Sequence, residues 1–521
     1  MSGAFDKKQD KAKRREERFL KEQKEKRRVR IISIIVLIVF IIVLSIALFL
    51  NSKFVRQSLP AISVAGIDFS SAEFDYLYSR AYSDYEQYMK DQLGDYASSY
   101  LPAEGKSHSS QIYDYETEET WGEFLTGYTI DQISESSKYY LAAKENGFEL
   151  PPDAVEAIDN EMASYASYAQ SYNLSTDAFI RTYVARNMTE KSIRKVMEYL
   201  YTVTMYIKSV NDSFTYTNEQ LAACYKENKE DMDSITFRIF LVKPEETLRQ
   251  DYETDEEFNT ATEEATAEAG RIASEIKSRI TSEEDFVFEA AVYNAEDYGN
   301  PEATLGTYPG SALGSEYKDW LLSNDRQLND VEVFDTSTGV YVVLFIDRDP
   351  NEYYMTEMRQ VLILRDEVNP DDYPGGVDDP DFLAAYEAAD AAALDLAEIA
   401  RRSFIDGGMT EEAFIDVVNE GYSDDSTDGH YDLISKNAAN NKMVPEIEDW
   451  LFAPGRQAGD CEIVRTEAFG YHLLYFVGFG DRYCDYLADT KLRDADYHAW
   501  EDTLQPLEVT KRWAFMFRQV F

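Results

Sequence analysis

Few residues in this chain can carry chemistry. The 521 residues include four histidines and three cysteines, so metal-based and nucleophilic reactions have little to work with. Cys224, Cys461 and Cys484 form no close pair and no CxxC, and no Cys/His spacing matches a structural zinc site. Three scattered cysteines cannot supply a disulfide framework and read as small buried hydrophobes. Asp424-x-Ser426-x-Asp428-Gly429 mimics the start of an EF-hand loop, but its twelfth position is Ser435 where a bidentate Glu is required. Gly429 therefore reads as a turn residue. No cofactor and no resident metal is expected.

The elements around these residues are duplicated. The stretch from Asp428 to Phe476 has an earlier counterpart from Tyr317 to Phe345. At a constant offset Asp319 meets Asp449, Trp320 meets Trp450, Arg326 meets Arg456 and Gln327 meets Gln457. Asp330, Glu332 and Thr336 likewise meet Asp460, Glu462 and Thr466. One inserted residue later, Gly339-Val340-Tyr341 meets Gly470-Tyr471-His472. A rare Trp in register with so many polar matches marks a repeated domain.

The run Met443-Val444-Pro445-Glu446-x-Glu448, the charged turn, the short strand and the closing Gly470-Tyr471-His472 strand resemble the parvulin family of peptidyl-prolyl isomerases. The resemblance implies a site of two strand histidines, a Cys or Asp after a Tyr/Phe-Ser motif, an apolar trio for the proline ring, and a threonine. In the second copy Gln360 stands at the first histidine, Asp425 at the Cys/Asp position, and Thr466 and His472 at the threonine and second histidine. Met443, Ile447 and Phe452 take the apolar, substrate-binding positions, with Ile447 where an aromatic is usual. In the first copy Ile239 and Tyr341 replace both histidines. Glu296 falls near the Cys/Asp position, Leu313, Tyr317 and Leu322 in the pocket, and Thr336 at the threonine. Isomerase activity is expected to be absent from the first copy; in the second the site is damaged rather than erased, and weak activity and loss of activity both stay open. Rotation about an X-Pro bond has a barrier of about 18–20 kcal/mol from amide resonance and needs neither nucleophile nor metal. The missing triad is therefore no argument against it.

Those copies must be carried by a larger chain. Residues 1–30 hold 13 Lys and Arg against 6 Asp and Glu, whereas the remainder holds 38 basic against 92 acidic residues. The acidic body should repel nucleic acid and anionic lipid. The loop from Arg365 to Asp381, RDEVNPDDYPGGVDDPD, should repel phosphate and favour basic or neutral clients, or hold a cation. Residues 31–50 form an uncharged apolar run long enough to span a hydrocarbon core of roughly 30 Å. The basic flank predicts a cytoplasmic N-terminus, and no small-x-small cleavage site follows the run. A single-pass cell-membrane anchor is expected, with the body outside the cytoplasm.

Residues 56–233 read as helical and tyrosine-rich. Ser70 or Ser71 with Glu73 predicts a helix start, and Thr217-Asn218-Glu219-Gln220 a capping box. Residues 96–115 read as a loop. The segment from Thr217 to Val242 resembles the junction of SurA- and PrsA-type foldases, where a helical chaperone domain leads into a parvulin domain. Copies over 234–349 and 357–480 each order as a strand, helices and closing strands, and 481–521 read as a helical tail that returns to the helical domain. The expected class is α+β: an N-terminal transmembrane helix, a helical domain, two tandem parvulin-like domains with antiparallel sheets, and the tail. The resemblance implies a membrane-anchored extracytoplasmic foldase that binds unfolded, newly exported polypeptides. The alternatives are a non-catalytic envelope scaffold, or a sensor, for which the short cytoplasmic segment offers no output domain.

Overall fold

The computed structural model describes residues 3–50, 52–422, 429–436 and 443–518. The chain is mixed helix and antiparallel sheet, with four small sheets among the described residues. It divides into two compact units, residues 1–215 with 495–521, and 216–494.

The first unit opens with a continuous helix, Gly3–Leu50. Its segment Gln23–Leu50 is the one helix among the described residues long and apolar enough to cross a membrane. Its isoleucines, Leu37, Leu44, Leu48, Phe40 and Phe49 are exposed. Strands β1 (Pro60–Val64) and β2 (Ile67–Ser70) follow as an antiparallel pair. The helix Ser71–Leu93 then starts at the expected place, with Ser70 and Glu73 satisfying each other's backbone N–H groups at 3.3 and 2.7 Å. Lys195 of the helix Glu190–Ser213 reaches Glu73 at 2.9 Å and ties a distant helix to that cap. Strand β3 (Ile112–Asp114), at the end of the stretch read as a loop, pairs with β4 (Glu119–Thr120) just beyond it in a small hairpin. The helices Trp121–Glu145 and Pro152–Ser171 complete the core, in which Phe69, Phe74, Leu125, Ile158, Ile180 and Ile193 are almost fully buried.

The end of the chain returns to this unit. Trp500 stacks on Tyr139 at 5.8 Å, and Phe515 meets Phe74 edge-on at 5.0 Å. The tail is helical through Glu501. Beyond it Val509–Lys511, β13 in chain order, pairs with β1. Three residues are too short to show a strand pattern, and only the partner edge makes them one.

The second unit holds two sheets of one design. The first contains β5 (Ser234–Val242), β6 (Leu305–Pro309), β7 (Val331–Thr336) and β8 (Gly339–Asp349), in the order β6-β5-β8-β7. The second contains β9 (Tyr354–Leu364), β10 (His430–Ile434), β11 (Cys461–Thr466) and β12 (Gly470–Arg482), in the order β10-β9-β12-β11. Every pairing is antiparallel. Both faces of each sheet are covered, so the central strands bury apolar side chains on both sides. In the first, Phe240, Val342 and Leu344 pack against the helices Asp255–Arg279 and Glu283–Tyr293, while Phe237, Val343 and Phe345 pack against the Trp320 helix, Lys318–Leu322. In the second, Val361, Ile363 and Leu473 face Ala393, Ala397, Ala400 and Phe404 of the helix Pro380–Asp406. Alanines at spacings of four and three present a low ridge that seats the helix on the sheet. Met358, Leu474 and Phe476 face the Trp450 helix, Pro445–Leu451.

The matched residues do the same work in both copies. Arg326 lies over Trp320 at 4.7 Å and Arg456 over Trp450 at 3.9 Å. The Asp330 carboxylate accepts from the Gln327 amide at 3.0 Å, and Asp460 from Gln457 at 2.9 Å. The turns then close on the sheet through Asn329 N–H to Phe345 O and Gly459 N–H to Phe476 O, each at 2.9 Å. One difference is instructive. The Trp450 indole donates to Glu462 at 2.8 Å, whereas Glu332 pairs with Lys277. Trp450 is buried and Trp320 only half-buried. Trp450→Ala should therefore cost about 3–5 kcal/mol, and Trp320→Ala distinctly less. Hydrogen exchange of the β11 and β7 amides in the full chain measures both. Equal losses would contradict the assignment.

Candidate functional site

Strand alternation decides which side chains share the Trp450 face of the second sheet. Val361 and Ile363 point to the long helix, so Gln360 points the other way; Tyr471 and Leu473 flank His472 likewise. Leu474 is in register with Gln360, and Leu362 with His472. The β11–β12 hairpin sets Thr466 opposite Gly470 and brings its hydroxyl back to His472.

The result is a chain of hydrogen bonds. Thr466 Oγ1 lies 3.1 Å from His472 Nε2, and His472 Nδ1 lies 3.2 Å from Gln360 Oε1. Gln360 Nε2 donates to the Tyr431 hydroxyl at 2.9 Å. With the Gln360 amide oriented this way its oxygen can only accept, so His472 carries its proton on Nδ1 and accepts from Thr466 at Nε2. His472 is 3 % exposed and Thr466 1 %. Burial pushes the imidazole down to about 4, against an opposing pull from the Glu446 carboxylate. It is a neutral, directional group at neutral pH, not a charge.

The apolar residues sit on the same face. Met443 and Phe452 are half-buried against Met358, Leu474 and Phe476. Ile447 is 2 % exposed, which places it in the wall beneath them and out of reach of an outside ring. Phe452 meets Tyr353 edge-on at 5.6 Å, and Lys436 lies over both rings at 5.3 and 4.8 Å. Asp425 lies outside the described residues.

Tyr431 was not legible as a member of the array. It sits on β10, a five-residue edge strand whose pairing to β9 is long-range. The one local signal was Gly429. Its φ is +65°, and a Cβ there would meet the Gln360 carbonyl oxygen at 2.4 Å. Its own carbonyl accepts from the Gln360 amide at 2.9 Å. Only glycine lets the chain pass this close and deliver Tyr431 to Gln360.

The first copy fills the equivalent place with carbon. Ile239 pairs with Val343 and Leu241 with Tyr341, the registers that Gln360 and His472 hold in the second sheet. Tyr341 meets Tyr317 edge-on at 5.9 Å, and Tyr317 lies 5.7 Å from Phe237. Leu313 and Leu322 are buried. The Thr336 hydroxyl donates to the Gly339 carbonyl at 2.9 Å instead of to a histidine. Glu296 is exposed on a short turn, Ala295–Tyr298.

No protein-family model matches the sequence. No curated protein matches it either. Among solved structures, one similar chain comes from work on PEB4 and Cj1289, described as two structurally related SurA-like chaperones of Campylobacter jejuni. It is 17 % identical, covering 42 % of this chain and 78 % of that one, at a TM-score of 0.17. PrsA from Bacillus subtilis is 12 % identical, covering 44 % of this chain and 73 % of that one, at a TM-score of 0.14. At these scores neither likeness carries an argument about the site.

Proposed function

We propose that this chain is a membrane-anchored extracytoplasmic foldase that holds unfolded polypeptides and eases rotation about X-Pro bonds at the second copy. The observation that carries the reading is the unbroken array Thr466–His472–Gln360–Tyr431 on the sheet face shared with Met443 and Phe452. Twisting the amide withdraws the nitrogen lone pair from resonance. A pre-set apolar seat with fixed, uncharged hydrogen-bonding groups beside it favours the twisted form over the planar one without reorganising. His472 and Gln360 supply that rigidity, and Met443 and Phe452 supply the seat. The Gln360 oxygen holds the imidazole in one tautomer, and Thr466 closes the array by occupying the other ring nitrogen.

The first copy is proposed as a non-catalytic holding module, because Tyr341 and Tyr317 pack where the polar array would stand. A cytoplasmic N-terminus with the body outside is part of the proposal, and the basic flank before Ile31 supports it. The test uses the full chain in detergent micelles. It should accelerate a proline-limited refolding step and suppress aggregation of a denatured client. Aggregation suppression without acceleration would leave a holdase and remove the isomerase part; neither effect would sink the reading.

A further inference from the structure

The first unit carries an open aromatic cavity that the proposed isomerase site does not use. It has a volume of about 670 Å³ and is lined by Tyr85, Met89, Tyr100, Tyr113, Tyr115 and Trp121, among others. Its rings are held at fixed angles. Tyr113 stacks on Phe124 at 3.9 Å and meets Trp121 edge-on at 4.8 Å, and Tyr85 meets Trp121 edge-on at 6.1 Å. The Trp121 ring is buried, while Tyr100 and Tyr115 are 60 % and 86 % exposed. A soluble surface does not display large rings next to a preformed concavity without a use for them.

The surroundings select the occupant. Residues 82–124 hold ten Asp and Glu against two Lys and no Arg. Lys90 is already paired with Glu86 at 2.7 Å. The β3–β4 hairpin that carries Tyr113 and Tyr115 presents Asp114, Glu116, Glu118 and Glu119 in one short run. Asp114 accepts from the Glu116 amide at 2.7 Å, and this bond, with one from Thr117, holds its carboxyl below the usual range. The Asp114 carboxylate therefore keeps its charge to lower pH than a free aspartate.

We propose that this cavity docks an extended, proline-rich segment bearing Lys or Arg. Flat rings at fixed angles suit the pre-ordered polyproline helix, whose backbone loses little entropy on binding. The tyrosine faces attract a cation, and the acidic rim raises the local concentration of basic segments. The inference rests on the polypeptide-holding part of the proposed function and is independent of the second copy. It gives the foldase a way to gather proline-containing, basic clients before any bond is turned.

Fluorescence polarisation on the full chain in micelles tests it. The probe is a fluorescein-labelled peptide of Pro-Pro-Arg repeats. Binding should weaken about tenfold in Tyr113→Ala and in the double variant Tyr100→Ala/Tyr115→Ala, and fall steeply as salt rises toward about 0.5 M. Tyr100 and Tyr115 are exposed enough to change without unfolding the unit. Pro-Pro-Glu repeats should not bind, and Gly-Gly-Arg repeats should bind more weakly than the probe. Equal binding of all three peptides, or unchanged affinity in both variants, overturns the inference. Loss of peptide binding in variants that still suppress aggregation would separate this site from the general holding activity. No peptide binding by a chain that does suppress aggregation would overturn the inference and leave the proposed function standing.

Discussion

Asp233→Ala is expected to be among the most destabilising single changes in the second unit, at about 3–5 kcal/mol. Asp233 is fully buried at the foot of β5. Its carboxylate accepts from Arg348 Nε at 2.6 Å, pairs with Lys229, and accepts from the Tyr225 hydroxyl. The same hydroxyl lies 2.7 Å from the Pro350 carbonyl oxygen, so its one proton is shared between the two acceptors. Asn351, one residue on, donates to the Met232 carbonyl at 2.8 Å while its own carbonyl accepts from the Cys484 amide at 2.8 Å. The short connection between the two copies is thus pinned from three sides. Removing the carboxylate leaves Arg348 facing a dry gap, whereas Asp233→Asn keeps the shape and part of the bonding. Urea unfolding of the full chain, followed by hydrogen exchange in β5 and β8, should show the alanine variant opening first there. An effect under about 1 kcal/mol would show that water replaces the carboxylate.

Acid should loosen the second copy before the first. An unfolded histidine takes its proton near pH 6.5, whereas His472 in the fold does so only near pH 4. Between these values the unfolded chain binds more protons. The contribution of His472 is therefore complete above about pH 6.5 and is lost as the pH falls toward 4, amounting to about 3 kcal/mol over that window. The first copy has Tyr341 at this position and lacks the dependence. Hydrogen exchange at β12 and β8, measured at steps from pH 7 to 4.5, should diverge in wild type and run parallel in His472→Gln. Divergence that persists in the variant would place the acid-sensitive group elsewhere.

What was legible in the sequence was local or duplicated. Ser70 with Glu73 and Thr217 with Gln220 are signals three residues long, and both caps form with both arms in place. The Trp320 and Trp450 helices with their charged turns were legible because the chain states them twice. Long-range edges were not. Strands β6, β10 and β13 are five residues or fewer, and each exists because a longer neighbour offers a free edge. Tyr431 was missed for the same reason. The Asp233–Arg348 pair spans 115 residues and no spacing rule reaches that far. At the site, Thr466, His472 and Gln360 come together, Met443 and Phe452 share their face, and Ile447 belongs to the wall. The burial of Ile447 depends on how the Trp450 helix rolls onto the sheet, which residue type alone does not set.

The central claim is that whatever prolyl chemistry the chain performs resides in the second copy and depends on the His472 array. The most direct test compares His472→Gln with Tyr341→Phe in the full chain, assaying proline-limited refolding and checking each variant's thermal midpoint alongside. Loss of a positioned group in the array should lower kcat/KM about tenfold or more in His472→Gln, with Tyr341→Phe indistinguishable from wild type. Equal rates in all three proteins, or a larger loss in Tyr341→Phe, would contradict it.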